Sequence, residues 1–183
     1  MKNKDKELNK DENDNTTIKD IIIYLSIIII AVLIRTYVVA LVRVNGTSMY
    51  PTLENKDFMI LNKINYRFND IKRFDIVVIK EEKEYLIKRV IGLPGDKIEY
   101  KNNKLYVNGK YVKEPFLNSD VKTNDFDIID LMITSFIPKD SYLVLGDNRE
   151  NSTDSRVFGF VKKDDILGTT VFSIFPFTKF GTI

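Results

Sequence analysis

The chain has 183 residues, 44% hydrophobic and 30% charged, with 28 basic against 26 acidic side chains and a net charge of +2. It contains neither histidine nor cysteine. That excludes Ser-His-Asp triads, Cys-His dyads, disulfides, Cys-ligated clusters and zinc sites built from imidazole or thiolate; a chain this long makes one ordinary domain, and without a basic patch interleaved with aromatics there is no reason to expect nucleic acid.

Residues 1–17 form a polar tail. Residues 1–20 hold five Lys and six Asp or Glu, with only Met1, Leu8 and Ile18 apolar, so the tail buries no core and is expected to be disordered. From Ile21 to Ile34 no residue is charged. Fourteen helical residues reach about 21 Å, short of a bilayer core of about 30 Å. The expected transmembrane helix therefore covers 18–36, with Arg35 snorkelling to the interface. A cleaved signal peptide fits less well, because the leading segment is long and acidic and no small-residue cleavage site follows. A buried core helix remains an alternative, whereas an interfacial helix would need a polar face. Five Lys precede the uncharged run Ile21–Ile34, while Arg35 and Arg43 follow it, so the positive-inside rule leans only slightly towards an inside N-terminus.

Residues 37–183 read as one mainly β domain. Asp57–Leu61, Phe74–Lys80, Tyr85–Ile91 and Lys139–Leu145 are short, rich in branched or aromatic residues, and bounded by turn signals. Asn102-Asn103 and Asn108-Gly109 mark tight turns around a strand at Lys104–Val107. Val171–Phe175 is a late strand closed by Pro176. The polar, irregular segment 116–136 reads as an insertion or long loop, with helical character only around Phe126–Met132.

Without histidine, the most economical nucleophilic site is a serine activated by a neutral lysine. Lysine has an unperturbed pKa of about 10.4, which burial among apolar groups lowers. Lys88, in the run Tyr85-Leu86-Ile87-Lys88-Arg89-Val90-Ile91, suits an inward strand position that leaves Arg89 on the opposite face. The serine belongs on a sharp turn whose N–H groups can hold an oxyanion. Asn45-Gly46-Thr47-Ser48-Met49-Tyr50-Pro51 offers one, with Gly46 permitting unusual backbone angles and Pro51 fixing the chain beyond. Most serines in such loops are turn formers and most strand lysines are solvated, so these properties alone do not single out the pair.

Four segments, in order, resemble the motifs of type I signal peptidases, the bacterial leader peptidases. Gly46-Thr47-Ser48-Met49-Tyr50-Pro51-Thr52-Leu53 is similar to the nucleophile box, and Asp75-Ile76-Val77-Val78 to the strand before the base. Tyr85 to Asp96 resembles the general-base box, and Gly146 to Arg156 the last box. The resemblance spans about 35–175 and includes the layout of an anchor followed at once by the serine box. It implies a Ser-Lys peptidase fold, a coiled β-sheet domain after one transmembrane helix. It also implies a single-pass cell-membrane protein whose catalytic domain lies on the extracytoplasmic face and cuts signal peptides from secretory preproteins, with no metal or organic cofactor.

The resemblance also implies roles. Ser48 is the nucleophile and Lys88 the general base, then the general acid towards the leaving amine. The Ser48 N–H serves the oxyanion hole. Some members place a second donor hydroxyl two residues earlier, where this chain has Gly46. Ser152 orients the lysine, Asp154 supports it and Arg156 is the partner of Asp154. Asp147, Asn148 and Arg149 read as a rigid turn network. Val44, Met49, Leu53, Leu86 and Ile87 are the expected walls of a shallow apolar pocket for small residues at −1 and −3. An extended substrate would pair with the strand bearing Lys88 or with the segment before Ser48. Met49, Tyr50, Phe58 and Phe68 are candidates to dip into the lipid interface, with core packing the expected place for Phe58. Two other readings compete. A self-cleaving repressor-type domain uses the same dyad but carries a DNA-binding helix-turn-helix and no span. A tethered β-domain that binds a partner without catalysis would not need both Ser48 and Lys88.

Overall fold

The computed structural model describes residues 2–64, 69–82 and 84–182. It divides into two compact units, Met1–Val39 and Ala40–Ile183. The first is one helix, α1 (Lys2–Tyr37). Its stretch Thr17–Tyr37 is long and apolar enough to cross a membrane. Ile21, Ile22, Ile23 and Tyr24 are all exposed, and four consecutive helical residues point in four directions, so the apolar surface runs right round. The helix also takes in residues 2–17, a correction to the expected disordered tail. Lys and Glu are good helix formers, and lengthening an existing helix avoids the costly nucleation step.

The second unit is mainly β. Its strands are β1 (Val39–Arg43), β2 (Phe58–Asn62), β3 (Ile76–Glu81), β4 (Glu84–Gly92), β5 (Ile98–Lys101), β6 (Lys104–Val107), β7 (Lys110–Val112), β8 (Phe126–Asp127), β9 (Ser141–Leu145), β10 (Val161–Lys162), β11 (Ile166–Phe175) and β12 (Gly181–Thr182). Two short helices, α2 (Ile128–Met132) and α3 (Ser155–Phe158), interrupt them. One sheet runs β1-β2-β11-β3-β4-β9-β10 with β12 beside β11, and the other runs β7-β6-β5-β8. β4 pairs with β3 along Glu84–Arg89 but with β9 only along Arg89–Gly92. The second edge of Glu84–Lys88 therefore lies outside the β9 ladder.

β9 is buried at every position. Tyr142 and Val144 enter one core with Val77, Ile79 and Ile166, while Leu143 and Leu145 enter another with Ile91, Ile98 and Leu105. Alternate side chains take opposite faces of a strand, so this continuous apolar run divides two cores. The four-stranded sheet is closed by the turns expected. Asn102, Asn103, Asn108 and Gly109 all have positive φ, as type I′ hairpins require.

Segment 116–136, read from the sequence as an insertion or long loop, packs into the domain and carries a short helix within the expected stretch Phe126–Met132. Phe126–Asp127 adds the fourth strand beside β5. Ile128 is fully buried, and Asp127 caps α2 by accepting from the Ile129 N–H. Phe116 meets the ring of Phe74 edge-on at 5.1 Å. These apolar pegs, spaced irregularly along a polar sequence, leave no periodic signal to read.

Met49 is buried and so cannot enter a lipid interface, whereas Tyr50 is exposed. Phe58 is half-buried and packs against Phe175. Phe68 lies outside the described residues.

Candidate active site

Ser48 lies on the turn between β1 and β2. Gly46 enters it at φ +96, left-handed backbone that suits glycine. Val44, Met49 and Leu53 anchor the turn in a small core with Met59 and Ile76. The Tyr50 N–H donates to Thr47 O at 3.1 Å and the Leu53 N–H to Met49 O at 2.9 Å.

β4 brings Lys88 to this turn. The ammonium nitrogen Nζ lies 2.7 Å from Ser48 Oγ, and the residue is 2% exposed. Burial lowers the Lys88 pKa from 10.5 to about 8; the Asp154 carboxylate pulls against the shift and the Arg156 guanidinium adds to it. A lysine with this value is substantially neutral at mildly alkaline pH and can accept a proton.

Arg89 leaves the opposite face of the same strand. It grips Asp147 with two bonds, Nε to Oδ1 at 2.8 Å and Nη2 to Oδ2 at 2.7 Å, and donates through Nη1 to Phe74 O. Thr52 Oγ1 donates to the same Asp147 carboxylate at 2.5 Å. Asp147 thus ties the serine turn to the lysine strand. These tertiary links were not foreseen from the sequence; the only local hint is an Arg beside a buried Lys.

The loop after β9 closes the site. Gly146 packs so tightly that a Cβ there would overlap Ser152 Oγ and the Ser48 carbonyl. Asp154 is fully buried, accepts from the Gly146 N–H at 3.0 Å, and forms two bonds of 2.8 Å with Arg156. Burial pushes the Asp154 carboxyl up, but Arg156 and the Gly146 N–H outweigh it and hold the group below its usual range. The Asp154–Arg156 pairing expected from the resemblance is therefore present. The expected contact from Ser152 to Lys88 is not formed. Ser152 Oγ is instead buried where a Cβ on Gly146 would collide with it, beside the Asp154 carboxyl that it helps to hold down.

A cleft of about 660 Å³ runs past Ser48 between β1 and the free edge of β4, with Val44, Met49, Leu86 and Ile87 among its walls. Leu53 does not line it; it packs beneath in the core with Val44 and Met59. A second lobe of about 900 Å³ shares Ser48, Glu84 and Leu86 and adds Lys88, Ser152 and the acidic side chains Glu81, Glu82 and Glu150.

A β-sheet unit that sets a serine hydroxyl against a buried lysine amine beside an open cleft has the make-up of a serine peptidase. Residues 17–175 match the model of the family described as "Signal peptidase, peptidase S26". The chain is 44% identical over 166 residues to a signal peptidase I of Bacillus caldolyticus, covering 86% of this chain and 91% of the relative. It is 41% identical over 164 residues to signal peptidase IB of Staphylococcus aureus strain Mu50, covering 83% and 86%. A crystal structure of a signal peptidase I from Enterococcus faecalis V583 superposes with a TM-score of 0.51 at 34% identity, covering 55% of this chain and 97% of that one. The chain belongs to the signal peptidase family, peptidase S26, and is a serine endopeptidase.

Proposed function

We propose that the chain is a membrane-anchored signal peptidase that releases secreted preproteins by cutting after small residues, with Ser48 as nucleophile and Lys88 as base. The observation that carries this reading is the 2.7 Å approach of Lys88 Nζ to Ser48 Oγ by a lysine shielded from water. Neutral Lys88 takes the Ser48 proton as Oγ bonds to the scissile carbonyl carbon. The oxyanion is stabilised by the Ser48 N–H. Protonated Lys88 then gives its proton to the leaving nitrogen as the C–N bond breaks. A water, deprotonated by Lys88, hydrolyses the acyl ester and restores Ser48.

The substrate lies in the 660 Å³ cleft as an added strand. β1 ends the sheet, and Glu84–Lys88 has an edge outside the β9 ladder, so both offer backbone partners. Alternate side chains of an extended peptide face one way, which sends −1 and −3 together to the wall formed by Val44, Met49, Leu86 and Ile87. Thr17–Tyr37 anchors the enzyme in the cell membrane, with the catalytic unit on the extracytoplasmic face where signal peptides emerge. Confinement to that bilayer raises the effective concentration of substrate.

The test is cleavage of a preprotein with an Ala-x-Ala site, followed against pH. Protonated Lys88 is inactive, so kcat/KM is expected to climb about tenfold per pH unit at acid pH and to level off above the Lys88 value of about 8. A rate flat between pH 6 and 10 contradicts a lysine base. For the anchor, carbonate extraction is expected to leave the full chain with the membranes; its release into the supernatant contradicts a spanning helix.

A further inference from the structure

We propose that Asn148 is a positioning residue that aims the oxyanion donor of Ser48. The inference rests on Ser48 being the nucleophile. The amide nitrogen of the Asn148 side chain donates to Thr47 O at 3.1 Å, and its backbone N–H donates to Ser48 O at 3.0 Å. The first of these bonds falls on the peptide unit that links Thr47 to Ser48. In a planar trans peptide the carbonyl and the following N–H point in opposite directions. Fixing Thr47 O therefore fixes the direction of the Ser48 N–H, the group that faces the developing oxyanion.

The side-chain bond is surplus to holding the loop in place. Three other contacts already do that: the double bond pair of Asp147 with Arg89, the Arg149 Nε donation to Gly146 O at 3.0 Å, and the Asn148 backbone bond to Ser48 O. What the Asn148 amide adds is a second donor on Thr47 O, beside the local turn bond from the Tyr50 N–H. With both acceptor positions of that carbonyl occupied, the peptide plane is held from inside the turn and from the loop after β9. Such a hold matters more here than in a site with a second, side-chain donor, because Gly46 carries no hydroxyl.

The loss of a whole oxyanion donor lowers turnover about 10²- to 10³-fold. Loosening the donor's direction is expected to lower it about 10- to 100-fold. The experiment compares full-length wild type with Asn148→Ala and Asn148→Asp; the second keeps the shape but puts a carboxylate oxygen where the donor was. Three quantities are read with an Ala-x-Ala preprotein: kcat, KM and the acid limb of the pH profile. Affinities are also measured for a peptide boronate, which forms a tetrahedral anion on the serine, and for the same peptide as an uncleavable amide analogue. Asn148→Ala is expected to lower kcat with KM unchanged and the acid limb still near the Lys88 value of about 8. Both variants are expected to lose boronate affinity by a similar factor and to bind the amide analogue as wild type does. Unchanged kcat in both variants overturns the proposal. So does an equal loss of boronate and amide binding, or a loss of activity that tracks a fall in melting temperature. Failure of the nucleophile assignment is separately visible, because Ser48→Ala would then cleave preprotein and bind boronate as wild type does.

Discussion

Lys88→Met is expected to abolish preprotein cleavage and to make the folded chain more stable at neutral pH. Methionine fills the same space but takes no proton, and loss of a positioned general base lowers turnover by about 10²- to 10⁴-fold. Ser48→Ala is expected to do at least as much. The double variant should be no worse than the more damaged single one, because the two groups act as a unit. The stability effect has the opposite sign because the lysine is held where its charge is disfavoured. In the unfolded chain it titrates at 10.5 and in the fold at about 8. Below pH 8 both states are protonated and folding carries the full cost of burying the charge, about 3 kcal/mol. As pH rises from 8 to 10.5 the folded state is already neutral and the cost fades. Urea titrations at pH 7 and pH 10.5 check this: the gain on substitution should be large at the first and small at the second. A variant less stable than wild type at pH 7 would make Lys88 a structural residue. Cleavage at wild-type rate would remove it from the mechanism.

Asp147→Ala is expected to destabilise the catalytic unit by about 3–5 kcal/mol, the usual effect of removing one partner from a buried ion pair. The Arg89 side chain is 6% exposed and that of Asp147 fully buried, so the stranded guanidinium has little access to water. Its face lies 3.9 Å from the centre of the Phe116 ring, which offers some attraction but no acceptor for its N–H groups. Thr52 loses its carboxylate partner as well. The control is Arg89→Met with Asp147→Leu, which removes both charges and should recover most of the loss. Chemical denaturation of wild type and the two variants decides the matter. An Asp147→Ala variant within 1 kcal/mol of wild type would mean that the pair contributes nothing beyond its own desolvation cost.

Residues that act through local chemistry were legible in the sequence. The Asn102-Asn103 and Asn108-Gly109 turns declared the hairpins on both sides of Lys104–Val107, and the structure bounds that strand identically. Ser48 and Lys88 stood out once whole motifs were compared, and the fold brings them together. β1 was hidden because Val39–Arg43 follows an apolar helix without a compositional break. The Arg89–Asp147 pair and the placement of Ser152 depend on side chains meeting across 58 positions of sequence or on a glycine leaving space, and no local pattern encodes either. Leu53 looked like a pocket wall from its closeness to Ser48, yet a turn alternates between facing the cleft and facing the core beneath it.

The place of β11 in the sheet sets a schedule for the enzyme. Ser48 follows β1 and Lys88 sits on β4, but β2 and β3 do not touch as neighbours; β11 lies between them. Seventy-eight positions separate Lys88 from the start of β11 at Ile166. At ribosomal speeds of about 5–20 residues per second, that is a wait of about 4–16 s. Through that interval a nascent chain already carries Ser48 and Lys88, the proposed nucleophile and base, on two ribbons without the β11 strand between them. The strand that joins the two ribbons is thus made well after both of them, and a chain stopped before Ile166 is expected not to cleave preprotein.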